Sequence, residues 1–494
     1  MSIMNRIRIF LSFFILYSSY FIPVAQAQHV VLDIERTVQL ATDSSLTAQK
    51  QRSLYDISRY QYLSWKASLK PQIDLVSTPV TYERYMTQRY VSAVDRDEYR
   101  MQRYLYSDAG VSATQVFEPL GGSFYGASQL GFLRSFGDQK QTQYMTVPLI
   151  VGYRQDLLFF NPLKWNRKIE PLKLTKAEKD LAYGIETAAS EAVELFFTLA
   201  LAQSQLKMAE DYLASCDTIY AIAERRFKIA SISKAELSLL ELEKTNADIA
   251  LANARIAHVR AVQELASYLG MPSTSQIELV IPTMMPDLQV DASAAVEQAR
   301  ENNPQYIETQ QAVIEARRNA EKARVEKNLS MSLDVSIGVN QASSHFRNTF
   351  SNLLPKDVAT VTLSMPLVDW GKRKNLYYAA LSQVETAEQM KQEAARNNEV
   401  AVRLAVGEFN ERQSIAASAK QALSIAEEAY QRTLGRFIRA QVDVYELLLV
   451  QNHWQTANQN QIASLQNYWL SYYRLRRLTL FDYRQQQPIR YVTR

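Results

Sequence analysis

RFKIASISKAE, residues 226–236, is echoed 210 residues later by RFIRAQVDVYE, residues 436–446. Arg226-Phe227 matches Arg436-Phe437, Ala230 matches Ala440, Ser233 matches Asp443 and Glu236 matches Glu446. Each copy interrupts a long helical pattern. A Ser or Asp three residues before a Glu has capping-box spacing: the first side chain caps a new helix and the Glu reaches back to the cap's own N–H. The reading is a helix that stops, a tight turn and a helix that starts. Found twice, it divides the chain into related halves, 28–280 and 281–481, with a tail at 482–494.

A second alignment runs at another offset. LDIERTVQLATDSSLTAQKQ from Leu32 reads as helix to Lys70, where Pro71 ends it, and VDASAAVEQARENNPQYIETQQ from Val290 reads the same way to Asn328. Val38 matches Val296, Ala41 matches Ala299 and Leu75 matches Leu333, all at 258. The first half therefore carries an insertion of about 48 residues within 71–168.

Beyond these helices the period drops to two. In MSLDVSIGVNQ the apolar Met331, Leu333, Val335, Ile337 and Val339 alternate with polar residues, and in DVATVTLSMPL so do Ala359, Val361, Leu363, Met365 and Leu367. Each runs about ten to eleven residues, the length a tilted strand needs to cross a bilayer. A loop with Asn348, Asn352 and Pro355 joins them. MTVPLIVGY, residues 145–153, is the counterpart in the first half, preceded by strand-like 73–85, 110–117 and 123–133. One of these is expected to pair with 145–153, leaving the surplus as the insertion. Tyr82, Tyr85, Tyr104, Tyr106, Phe117, Phe132 and Tyr144 crowd the region, which suits a membrane-interface belt or ordinary cross-strand packing equally.

Residues 168–227 and 375–437 read as helices of about 60 residues, roughly 90 Å each. Shorter helices at 46–70 and 236–269, and at 304–328 and 446–480, sum in pairs to that length. Stacked end to end beside the long helices, they would fill a rod of about 90 Å with strands at one end and RF turns at the other. Narrow, Ala-rich apolar faces need partners, as in coiled coils. Four strands cannot close a barrel alone, since single-chain barrels start at eight and open edges do not sit in lipid. Oligomerisation follows from both.

Arg6 and Arg8, the apolar run 9–22 and Ala25-Gln26-Ala27 read as a signal peptide over 1–27. Without it the net charge is +2, two below the whole chain's +4, which does not suit nucleic acid. The single cysteine, Cys216, reads as a buried, inert thiol, with no disulfide framework or Cys-based metal site. No cysteine follows the leader to carry a lipid anchor. No second apolar run of about 18 residues exists, so insertion into a membrane would take a β-barrel.

The order of these features resembles the TolC-like outer-membrane efflux factors. The marks are the duplication, LKPQIDL (69–75) after the first helix, MPLVDWG (365–371) before a long helix, and the two RF turns. LLFFNPLKWNRKIEP (157–171) is similar to the strand-to-helix passage of one branch of that family. The resemblance implies a mixed α and β membrane protein with an internal twofold repeat. It would form a homotrimer in outer-membrane lipid, each protomer giving about four strands, or more if the insertion takes part, to a shared twelve-stranded barrel. A long periplasmic α-helical barrel would continue it.

The same resemblance implies a passive channel of a tripartite efflux or type I secretion system. Its tip, here Arg226, Phe227, Ala230, Ser231, Ser233, Glu236, Arg436, Phe437, Ala440 and Asp443, would dock on a periplasmic adaptor (membrane fusion) protein coupled to an inner-membrane pump. Relatives carry Gly where Ala230 and Ala440 stand, and Ala is less at ease in a left-handed turn. They also narrow the pore with two acidic residues one helical turn apart; Glu446 fills the first position and Leu449 the second. A ring of Glu446 would favour cations. The simpler reading makes Glu446 only the capping-box partner of Asp443.

The inventory points away from catalysis, cofactors and metals. His29, His258, His345 and His453 are scattered, with no HExxH, no phosphate-cradling Gly loop and no GxSxG. The alternative to a duct is a secreted or periplasmic coiled-coil scaffold with a β cap and no pore.

Overall fold

The computed structural model describes residues 29–91, 95–136, 140–229, 232–272, 275–281, 288–439 and 441–491. The signal peptide read at 1–27 lies outside them, as do Ala230, Ser231 and Ala440. The first half gives β1 (His29–Leu32), α1 (Ile34–Ser44), α2 (Leu46–Ser68), β2 (Gln72–Val91), β3 (Arg96–Phe117), β4 (Gly122–Phe136), β5 (Lys140–Gln155), α3 (Pro162–Lys228), α4 (Lys234–Tyr268) and β6 (Gln276–Leu279). The second gives α5 (Ala292–Asn302), α6 (Pro304–Asn328), β7 (Ser330–Ser343), a 3₁₀ turn (Phe346–Phe350), β8 (Leu354–Ser364), α7 (Lys372–Ile438), α8 (Val444–Thr479), β9 (Phe481–Asp482) and β10 (Gln487–Pro488).

Two compact units result. One, Leu54–Asp180 with Asn303–Glu399, holds a six-stranded sheet in the order β2-β3-β4-β5-β7-β8, every neighbour antiparallel. Cross-strand partners sort its side chains into two faces. Leu75, Val111, Leu149, Val151, Ile337 and Val361 share one face, and all six are exposed. Asp74, Asp108, Gln129, Arg154 and Asp334 share the other. An apolar face left bare opposite a polar one is the pattern of a strand with lipid on one side and water on the other. On the polar face Arg154 bridges Asp334 at 2.7 Å, and the Tyr125 hydroxyl donates to the same carboxylate at 2.8 Å. Tyr125 lies across Gly152, where a Cβ would come within 2.5 Å of its ring.

Several expectations are corrected here. All six strand-like stretches enter one sheet, so the chain holds more than four strands, the case in which the insertion takes part. β2 and β3 reach 20 and 22 residues, about twice the crossing length. Past Tyr82 charged residues share each face with tyrosines and methionines, as Arg84 does with Tyr82 and Met86, so no apolar period marks the extension. Pro355 belongs to β8 rather than to the loop, and β8 stops at Ser364, short of Met365 and Leu367. Pro366 has no N–H to continue the ladder.

The long helices begin earlier than read and span 67 residues each. Asn161 caps α3: its Oδ1 accepts from the Lys164 N–H at 3.1 Å while its Nδ2 donates to the Glu118 carbonyl at 2.7 Å. The helix then runs through Pro171. At the start of α7, Asp369 accepts from the N–H groups of Arg373 and Gly371, which hold its carboxyl below the usual range, and Gly371 turns the chain at φ +83°.

The other unit, Met1–Ser53, Leu181–Asn302 and Val400–Arg494, buries Phe196, Phe197, Phe409, Tyr468, Leu265 and Leu475 in one core. β1 and β6 pair in parallel on it, strands of four residues that are too short to show alternation in the sequence. The helix read from Leu32 to Lys70 is two helices, because Ser45 turns extended and its Oγ accepts from the Ala48 N–H. Asn303, at the matching position of the second half, breaks that passage ahead of Pro304, which disfavours α geometry in the residue before it. Buried Glu186 pairs with Arg476 at 2.9 Å, and Arg476 also holds Asp482 at 2.9 Å. The Tyr491 hydroxyl donates to Glu186 at 2.9 Å and joins the same network. Charges this deep persist only when paired.

Candidate functional site

The helix-turn-helix with the RF motif is built twice from one plan. α3 ends on Lys228 and α4 begins after the cap Ser233; α7 ends on Ile438 and α8 begins after the cap Asp443. In the first copy the capping box is complete. Ser233 Oγ accepts from the Glu236 N–H at 3.2 Å, and Glu236 accepts from the Ser233 N–H at 2.7 Å and from its hydroxyl at 2.8 Å. These donors hold the Glu236 carboxyl below its usual value.

The second copy is only half a box, which corrects the reading of Glu446. Asp443 accepts from the Glu446 N–H at 2.8 Å, but the Glu446 carboxylate turns to Arg436 at 3.1 Å. The chemistry explains the difference. Ser233 has a hydroxyl proton to offer a carboxylate, whereas Asp443 offers a like charge, and a guanidinium in the same turn is the better partner. In the first copy Arg226, the equivalent of Arg436, instead lies over the Phe437 ring at 5.7 Å. Phe437 is 3% exposed and Phe227 39%. Of the two positions read for a gate, Glu446 is engaged in this ion pair and Leu449 is exposed.

Behind the turns sits a small core of Ile219, Ala223, Leu240, Tyr430, Phe437 and Leu447. Tyr430 stacks on Trp454 at 5.0 Å with planes 4° apart. The positions 210 residues earlier are Tyr220 and Lys244, and Lys244 lies over the Tyr220 ring at 5.8 Å while bridging Asp217 at 2.7 Å. One contact is thus made with two chemistries. The sequence reading missed both pairs, although carrying the 210-residue offset a few turns past the RF motif would have aligned them. Cys216 is buried near this core and burial pushes its thiol up to about 11, so the thiolate that reacts is scarce at neutral pH.

Among the described residues no group of three or more His, Cys, Asp or Glu is arranged to hold a metal ion, and no helix is long and apolar enough to cross a membrane. Residues 127–271 and 295–479 match the family described as outer membrane efflux protein, one segment in each half. Over 285 residues, 57% of this chain, it is 25% identical to Protein CyaE of Bordetella pertussis, of whose length it spans 60%. Its fold is similar to a membrane protein from Pseudomonas aeruginosa, with a TM-score of 0.65 at 15% identity over 92% of this chain and 91% of that one. It is equally similar to the Campylobacter jejuni CmeC outer membrane channel, with a TM-score of 0.65 at 14% identity over 90% and 85%. The duplicated helical turns, the two-faced sheet and the two matched segments agree: the chain belongs to the outer membrane efflux protein family, TolC-like in fold and resident in the outer membrane.

Proposed function

We propose that this chain is the outer-membrane duct of a tripartite efflux or secretion system, a passive homotrimer. The observation that carries the reading is the sheet, with Leu75, Val111, Leu149, Val151, Ile337 and Val361 bare on one face and with β2 and β8 as its edges. Open edges are untenable in lipid, and further copies of the chain supply their partners. Three copies of six strands make eighteen, a wider barrel than the twelve the resemblance implied.

The tip is the docking end of this reading. Exposed Phe227, Ile229, Ile438 and Tyr445 offer apolar contact to a periplasmic adaptor, beside the charged Arg436 and Glu446. Adaptor binding opens the tip, and the inner-membrane pump supplies the energy and selects the cargo. The chain's own work is to provide a lined path. Two measurements test this. Membranes washed at high pH should retain the protein, and it should migrate as a heat-modifiable oligomer; release by the wash would favour the poreless scaffold. In planar bilayers the isolated oligomer should conduct weakly, and a high, ungated conductance would count against a closed tip.

A further inference from the structure

Four basic residues stand together on the apolar face of the sheet, at the end away from the helices. In the register of the ladder Arg84 faces Arg103 and Phe136 faces Lys140. One step nearer the helices, Leu105 is flanked by Tyr82 and Arg134. Cross-strand partners share a face, so Arg84, Arg103, Arg134 and Lys140 all project from the side that carries Leu75, Val151 and Ile337. All four are exposed. Two arginines directly opposite each other repel unless an anion joins them. Among the described residues, the sheet's ion pairs join Arg96 to Glu98 and Arg154 to Asp334, and none reaches these four.

Their depth identifies the anion. On β4 the apolar side of the strand runs from Phe124 to Phe132, nine residues, the length that crosses a hydrocarbon core. At its upper end lies an aromatic step, in which Phe132 packs on Tyr144 at 5.3 Å and Tyr144 on Phe346 at 5.6 Å. Arg134 comes next, over the Phe136 ring at 5.5 Å, with Lys140 beside it. Hydrocarbon-facing, interface aromatic and cationic layers thus follow in the order in which a lipid presents its chains, its ester region and its phosphates.

We propose that Arg84, Arg103, Arg134 and Lys140 form a binding site for the phosphate groups of the lipid that surrounds the barrel in the outer leaflet. The ligand class is a phosphorylated glycolipid or phospholipid headgroup, held by charge-assisted hydrogen bonds from the three guanidiniums. The site rests on the barrel reading above, since it needs lipid against this face.

The test uses the full-length protein in detergent with lipid A carrying both phosphates, lipid A stripped of them, and inorganic phosphate. Native mass spectrometry should show adducts of the phosphorylated lipid at least tenfold over the stripped one. The combined variant Arg84→Gln, Arg103→Gln, Arg134→Gln, Lys140→Gln should weaken them on the order of a hundredfold, while replacing the three Arg by Lys should preserve much of the binding. Equal binding of the two lipids by the unaltered protein would overturn the site even if the Gln variant does not fold, and so would full competition by millimolar inorganic phosphate. High-pH washing separates this failure from the larger one. Protein that stays in the membrane yet shows no phosphate preference defeats this site alone, whereas protein that washes off defeats the barrel and the site together.

Discussion

At the scale of residues, the two turns show how one atom redirects a charge. Ser233 donates to Glu236 and keeps it at home; Asp443 cannot, and Glu446 turns to Arg436. Ser233→Ala should cost the first turn of α4 about 0.5–2 kcal/mol, read as faster amide exchange at residues 235–237. The pH dependence follows in sign. The folded carboxyl of Glu236 titrates below the unfolded value of about 4.3, so its stabilisation is complete above that pH and is lost as pH falls through the lower, folded value. Exchange at α4 should therefore accelerate below about pH 4 in the native chain, and a Glu236→Gln variant should lack that step. Glu446→Gln should change stability by less than about 1 kcal/mol, because the ion pair with Arg436 is half exposed. If three such carboxylates ring the pore, the same change should lower single-channel cation preference; unaltered selectivity would sink the ring and leave Glu446 as a local bridge.

Among the elements, what was legible depended on whether a pattern repeats along the chain. The capping spacing, the bilayer-length alternation of β7 and the bounds of α6 could be read because each is a local period with a stop signal. Other features could not. β1 and β6 are four residues each and exist only because a distant segment completes the pair. Glu186 lies 290 residues from Arg476, so nothing local announces the buried network that joins it to Arg476 and Asp482. The helices flanking the RF turns hold an intermediate case, the stack of Tyr430 on Trp454, which answers Lys244 over Tyr220. A double-mutant cycle of Tyr430→Ala with Trp454→Ala should give a coupling of about 0.5–1.5 kcal/mol, the range of aromatic pairs. Thermal unfolding of the four proteins measures it, and additivity within error would mean the rings merely share a cavity.

For the molecule as a whole, the sheet turns a sequence offset into a testable architecture. Leu75 matches Leu333 at 258 and Val151 matches Val361 at 210, and Leu333 faces Val361 across β7 and β8. By the same logic an ancestral first half would have paired β2 with β5 so that Leu75 faced Val151. Both residues already lie on the apolar face. In the present chain β3 and β4 stand between them, and the stretch from the end of β2 at Val91 to the start of β5 at Lys140 holds 48 residues. If that stretch is the insertion, a chain lacking residues 92–139 should let β2 close directly on β5 with every apolar side chain still facing outward. A one-residue slip would invert the whole strand, so the match of faces is a strict condition. We expect the shortened chain to reach the outer membrane as a heat-modifiable oligomer with four strands per copy and a narrower pore, seen as a smaller single-channel conductance once the tip is opened. A shortened chain that is degraded or remains monomeric would mean that β3 and β4 are integral to the sheet, and that the 48-residue difference arose by loss from the second half instead.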